Sequence, residues 1–203
     1  MSLARVAEVR AEELLVELLR SQGWDTRRPP SGELLRQHEY KDHAHLAEIF
    51  RGKSKSGGSG SGVPEAVLVD SEMQPLVVVE VKGSVSDLPK AVKEVTESYG
   101  RACVEAGYAP LAVALAGSSE DDFMVRVLKW TGKRWAEATY EGNPISWIPN
   151  RADVDRLRVP SAPTELRPSI PPAEVWRHVP TRSIAYSASP TSRTNFVLRS
   201  WGP

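Results

Sequence analysis

The chain reads as one α/β domain, a mixed sheet flanked by helices, and three observations predict it. An amphipathic helical period opens the sequence. Apolar, largely β-branched runs follow at Ala66–Val69, Pro75–Val81 and Leu111–Ala116, and a second helical stretch separates the last two. The 203 residues suffice for one principal domain with an appendage. With 40% hydrophobic and 26% charged residues, the composition is that of a folded domain and excludes a disordered or fibrous chain.

Each element has its own signals. Ser2 is placed to cap a first helix whose Leu3, Ala7, Ala11, Leu14, Leu15 and Leu18 share one face, and Gly23 ends it before Trp24. Residues 25–38, with Pro29 and Pro30, read as loop, and a short helix is expected over 44–50. The run Gly52–Gly62 is flexible by composition and is no phosphate loop, because no helix carrying Gly-Lys-Ser/Thr follows it. Ala66–Val69 and Pro75–Val81 form a hairpin around the polar turn Ser71–Gln74. Ser86 or Asp87 caps a helix that has Pro89 in its first turn and stops at Gly107. Leu111–Ala116 is a buried strand, and Phe123–Leu128 with Arg134–Thr139 make a second hairpin turning at Thr131–Lys133.

The formal net charge is zero but unevenly spread. Residues 151–203 hold eight Arg against two Asp and two Glu, a net of +4, so residues 1–150 carry −4. The same segment holds eight of the sixteen Pro. Proline at that density denies helix and central-strand continuity. The expected division is therefore a folded domain over 1–150 and an extended proline- and arginine-rich arm over 151–203, with Trp176, Phe196 and Trp201 as its apolar anchors. Arg151, Arg156, Arg158, Arg167, Arg177 and Arg182 show no helical register and read as solvated. No run approaches the roughly 18 apolar residues of a membrane span, and no charged-then-apolar leader opens the chain. The single Cys103 excludes an internal disulfide framework and a Cys-rich zinc site. A cytoplasmic protein without a membrane partner is the expectation.

Chemistry concentrates on Pro64-Glu65 and Glu80-Val81-Lys82. Side chains alternate along a strand, so Glu80 and Lys82 share a face, about 7 Å apart along the chain. Two charges at the end of an apolar strand are costly to bury unless paired or bound to an ion. Two carboxylates and an ammonium on neighbouring strands suit metal-assisted phosphodiester hydrolysis. The carboxylates offer hard oxygen ligands to Mg²⁺. The ion polarises a phosphoryl oxygen and lowers the pKa of a water, and the ammonium orients that water or stabilises developing charge. Elsewhere, His38, His43 and His45 read as loop histidines, Asp70 as a turn-former, and Cys103 as a buried helix cysteine.

Pro64-Glu65, standing fifteen residues before Glu80-Val81-Lys82, resembles the PD-(D/E)xK nuclease motif. The pattern is most similar to the N-terminal nuclease domains of type I restriction subunits and of fused restriction endonuclease–methyltransferases. Those domains show a helix ending Leu-Leu-x-x-x-Gly-Trp, a Pro-Asp opening a strand, a Glu-x-Lys strand, a helix bearing a Tyr, and a further strand. Here the counterparts are Leu18-Leu19-Arg20-Ser21-Gln22-Gly23-Trp24, Pro64-Glu65, Glu80-Val81-Lys82, Tyr99 and Leu111–Gly117. The resemblance spans about residues 3 to 150 and implies a restriction-endonuclease-like fold.

It also implies a Mg²⁺-dependent DNA endonuclease of a restriction-modification or related defence system, with Mn²⁺ as a substitute. Glu65 and Glu80 would ligate the ion, the Val81 carbonyl would add a ligand, and Lys82 would activate or position water. The first helix of such domains often adds a carboxylate. Glu8 lies about 80° and Glu12 about 120° from a face centred on Leu18, so Glu8 is the first choice and Glu12 the second. Tyr99 would be accessory. Double-stranded DNA is the implied partner, together with methyltransferase, translocase or specificity subunits, and a homodimer is compatible. Two positions depart from the pattern: Glu65 stands for the usual Asp, and the Gln expected one turn before Tyr99 would fall near Val95, beside Glu94. The alternative on the same fold is a catalytically impaired DNA-binding or subunit-assembly module.

Overall fold

A computed structural model describes residues 3–52 and 63–158 of the chain. The expected Ser2 cap, most of the Gly-Ser run, and the proline-rich segment after 158, with Trp176, Phe196, Trp201, Arg167, Arg177 and Arg182, lie outside the described residues.

Helix α1 (Leu3–Ser21) buries Ala11, Leu14, Leu15 and Leu19, with Leu18 only partly covered. Each buried leucine is worth about 1.5–3 kcal/mol over leaving it in water. The helix ends as expected at Gly23 (φ +81). There Gly23 N–H donates to the Arg20 carbonyl and Trp24 N–H to the Leu19 carbonyl, satisfying carbonyls the helix leaves open. Trp24 is buried and its indole N–H donates to the Pro149 carbonyl at 2.9 Å.

Strands β1 (Leu34–Arg36), β2 (Ala66–Val69), β3 (Pro75–Lys82), β4 (Leu111–Ser119), β5 (Asp122–Trp130) and β6 (Trp135–Glu137) form one sheet in sequential order. Every neighbouring pair is antiparallel except β3 and β4, which are parallel. A parallel pair needs a crossover. Helix α3 (Leu88–Glu94) supplies it, running through a π turn (Val95–Gly100) into α4 (Arg101–Glu105), and Gly107 (φ +89) follows its end. The short α2 (Ala44–Ile49) precedes the β2–β3 hairpin, where Asp70 forms the expected turn by accepting from the backbone N–H of Glu72 and Gln74.

Alternation along the central strands splits the core into two layers. Val77, Val79 and Val81 pack with Ala11, Leu15 and Leu19 of α1. Val78, with Ala112, Ala114 and Ala116, packs instead against Leu88, Ala91, Val95, Tyr99 and Cys103 of the crossover. All eight residues of β3 are buried, including its two charged ones.

Two expectations need correction. Residues 34–36 are a strand and not loop: Leu34 and Leu35 are buried one on each side of the sheet, paired to Leu68 and Val67. The domain also continues past 150. Arg151–Arg158 forms helix α5, the last element described, with Val154 and Leu157 buried in the α1-side core. The stretch 151–158 contains no proline, so nothing there opposes a helix. Arg151, Arg156 and Arg158 therefore sit on a helix, and Arg158 donates to the Ala109 carbonyl. A small hairpin, β7 (Thr139–Tyr140) with β8 (Asn143–Pro144), intervenes. Among the described residues no helix is long and apolar enough to cross a membrane.

Candidate active site

Glu80 and Lys82 point from the last turn of the β3 pleat toward the crossover helix, on the side of Val78. Glu80 is wholly buried, and the Lys82 Nζ lies 2.6 Å from its Oε1. The same ammonium lies 2.6 Å from Oε2 of Glu94, the last residue of α3. A lysine thus bridges two carboxylates at the carboxyl end of a central strand. Charges removed from water to this degree persist only when paired.

Glu65 stands immediately before β2. The β2–β3 register pairs Ala66 with Val79 and Val67 with Val78, so the chain enters β2 beside the end of β3 that carries Glu80.

Above them is a cavity of about 390 Å³. Glu8 and Glu12 of α1, Glu65, and Glu94 contribute carboxylates to its wall; Lys82 and Lys90 contribute ammonium groups, and Val81 completes it. Glu80 lies beneath this wall, not on it. Glu8 is brought here by a close approach: a Cβ on Gly83 would stand 2.8 Å from the Ala7 carbonyl carbon and 2.9 Å from the Glu8 nitrogen. Only glycine lets β3 end this close to α1.

Glu12 is held more firmly. Gln37 Nε2 donates to its Oε1 at 3.0 Å and Arg36 to its Oε2 at 3.3 Å. Burial raises its carboxyl pKa above the ordinary value, and the nearby Glu65 charge adds to the rise, with Arg36 and Gln37 opposing it. Gln37 also reaches Glu65 Oε2, at 3.5 Å, and its backbone N–H donates to the Glu65 carbonyl.

Tyr99 is wholly buried, and among the described residues its hydroxyl has no hydrogen-bond partner. Its pKa is raised strongly, first by burial and then by the fields of Glu80, Glu94 and Glu65. The phenol therefore stays protonated and lies among the same three carboxylates. On an uninterrupted α-helix residues five apart differ by about 140°. The π turn, with its i→i+5 pattern, brings Glu94 and Tyr99 toward one side. Gly100 closes that turn under the Trp135 ring, which a Cβ there would strike at 2.6 Å.

The structure thus gathers Glu65, Lys82, Val81, Glu8 and Glu12 around one cavity, with Glu80 and Tyr99 buried against it. Glu94, Lys90 and Gln37 belong to the same place and were not expected there. Among the described residues, no three His, Cys, Asp or Glu side chains are arranged as a ready-made metal set. His43 and His45 are separate from the cavity; His45 Nε2 lies 2.7 Å from the Met73 carbonyl. No protein-family model matches the chain, and neither a curated protein nor a solved structure matches it significantly.

Proposed function

We propose that this domain is a Mg²⁺-dependent DNA endonuclease of the restriction-endonuclease-like class, acting in a restriction-modification or related defence system. The observation that carries this reading is Lys82, buried at the carboxyl end of β3 between Glu80 and Glu94, with Glu65 just before β2 and a cavity that Glu65 and Lys82 both line. Supporting it, the element order around that point is helix, strand, strand, helix, strand, as the motif resemblance implies.

The donor set suits the ion. Mg²⁺ is commonly held by one or two carboxylates while waters and substrate phosphates fill its shell, so a preassembled three-residue cage is not required. Glu65 and the Val81 carbonyl would hold it, with Glu80 behind them and Glu8 or Glu12 facing from α1. A bound ion supplies Lewis acidity toward a phosphoryl oxygen and acidifies a water. The remaining work falls to the chain. Lys82, fixed by its two carboxylates, orients a water and offsets charge developing on phosphorus. Lys90, exposed at the rim, meets an incoming phosphate. The partners implied are double-stranded DNA and the subunits that direct it.

The test is cleavage of DNA by the purified chain with Mg²⁺ or Mn²⁺, beside Lys82→Ala. Metal-dependent cutting by the wild type and its loss in the variant are expected; no cutting, or equal cutting by both, refutes the reading. One observation favours a second reading. The Lys82 ammonium already sits within 2.6 Å of each of two carboxylates, an arrangement that also serves as a structural ion cluster in a non-catalytic DNA-binding or assembly module. Such a module binds DNA without cutting it and takes up no Mg²⁺ by calorimetry.

A further inference from the structure

Gln37 adopts φ +40, a left-handed conformation that a residue with a long side chain rarely takes. It stands where β1 turns into the 3₁₀ segment Gln37–Asp42, a place where glycine or asparagine would serve the backbone better. What this residue adds is its amide. Nε2 donates to Glu12 Oε1 at 3.0 Å and lies 3.5 Å from Glu65 Oε2, while the backbone N–H holds the Glu65 carbonyl at 3.0 Å. Glu12 belongs to α1 and Glu65 to the approach to β2, so one side chain ties the helix layer to the sheet where both border the cavity. Glu12 is also the partition between that cavity and a smaller one, about 340 Å³, bordered by Arg36, Gln37 and His38.

Two carboxylates brought together repel, so holding them side by side calls for a donor between them. Gln37 is a neutral donor between them and, unlike Arg36 on Glu12 Oε2, adds no positive charge to the pair. The wholly buried Tyr99 hydroxyl, without a hydrogen-bond partner among the described residues, also feels the charges of Glu80, Glu94 and Glu65. We infer that Gln37 is a positioning residue that locks Glu12 and Glu65 together as the outer oxygen ligands for a divalent cation in this cavity. This rests on the nuclease reading of the site, and assigns the helix carboxylate to Glu12 and not to Glu8.

The test uses Mn²⁺ alone, without DNA, on the full chain. Gln37→Gly removes the amide but suits the backbone, so the melting temperature is expected unchanged or raised, whereas the Mn²⁺ dissociation constant by calorimetry rises tenfold or more, as when other groups that orient metal ligands are removed. Gln37→Asn tolerates the same φ, but its amide is one methylene too short, and it shares the loss. Acting through Glu12 as well as Glu65, the change must fall short of additivity with Glu12→Ala: the double variant binds less weakly than the two single losses combined. Wild-type Mn²⁺ affinity in Gln37→Gly or Gln37→Asn, or full additivity, overturns the inference and leaves the nuclease reading standing. A wild type that binds no Mn²⁺ overturns both.

Discussion

Gly83→Ala probes how the fold delivers Glu8 to the cavity. The added methyl would stand 2.8 Å from both the carbonyl carbon and Cβ of Ala7, and 2.9 Å from the Glu8 nitrogen. Carbon atoms rest about 3.5–4 Å apart, so α1 or the end of β3 must retreat by at least about 0.7 Å. The nearest atoms are mostly main-chain atoms of a helix seated on β3 and β4, and no flexible side-chain tip can swing away instead. Over-packing of this kind costs about 1–3 kcal/mol. For a domain of this size that corresponds to roughly 2–12 °C in melting temperature at about 2–4 °C per kcal/mol. The same displacement moves α1, which carries Glu8 and Glu12 to the cavity, and misplacement approaching 1 Å can cost up to about a hundredfold in rate. Calorimetric melting and Mn²⁺-supported DNA cleavage measure the two effects. Unchanged melting refutes the seating of α1 on Gly83; lowered melting with full cleavage refutes a role for the α1 carboxylates.

Replacing Lys82 by Met leaves Glu80 and Glu94 without the ammonium they share, and a loss of about 3 kcal/mol is expected at pH 7 by urea unfolding. A variant as stable as the wild type contradicts the ion cluster. Burial pushes the Cys103 thiol up to about 12. It should therefore ignore a thiol reagent at pH 8 in the folded chain and react once per chain in urea, and prompt native labelling would show the crossover helix to be open. The Arg27 side chain, bonding to Asp25, lowers that carboxyl from 3.8 to about 2. Because the folded pKa lies below the unfolded one, the pair stabilises above about pH 4 and its contribution fades as pH falls through 2. Asp25→Asn should be slightly less stable than wild type at pH 7 and approach it only below pH 2, with the difference reduced by salt.

Much of the fold was legible because its central elements are periodic. Helix α1, the β2–β3 hairpin, the crossover from Leu88 to Glu105 and the β5–β6 hairpin all carry alternation or helical spacing long enough to read. Strand β1 was not, since three residues between Pro30 and a polar turn carry no period; only pairing to β2 makes Leu34 and Leu35 a strand. Helix α5 was hidden by averaging, because the proline density of the whole 151–203 segment masked eight proline-free residues at its start. The site shows the same division. Glu80 and Lys82 share a face by strand alternation alone, and the expected hairpin brings Glu65 to the same end of the sheet. Glu94 escaped because helical spacing assumes 3.6 residues per turn, whereas the π turn changes the phase between Glu94 and Tyr99. Gln37 left no signal at all: its role depends on a left-handed turn and on two carboxylates distant in sequence.

The proposed activity requires a divalent ion held at the sheet carboxylates. A crystal soaked in Mn²⁺ and measured at the manganese absorption edge should show an anomalous peak between Glu65 and Glu80, within reach of the Val81 carbonyl. A fully occupied lattice of well-ordered protein with no peak there, or with manganese only elsewhere on the surface, would contradict it.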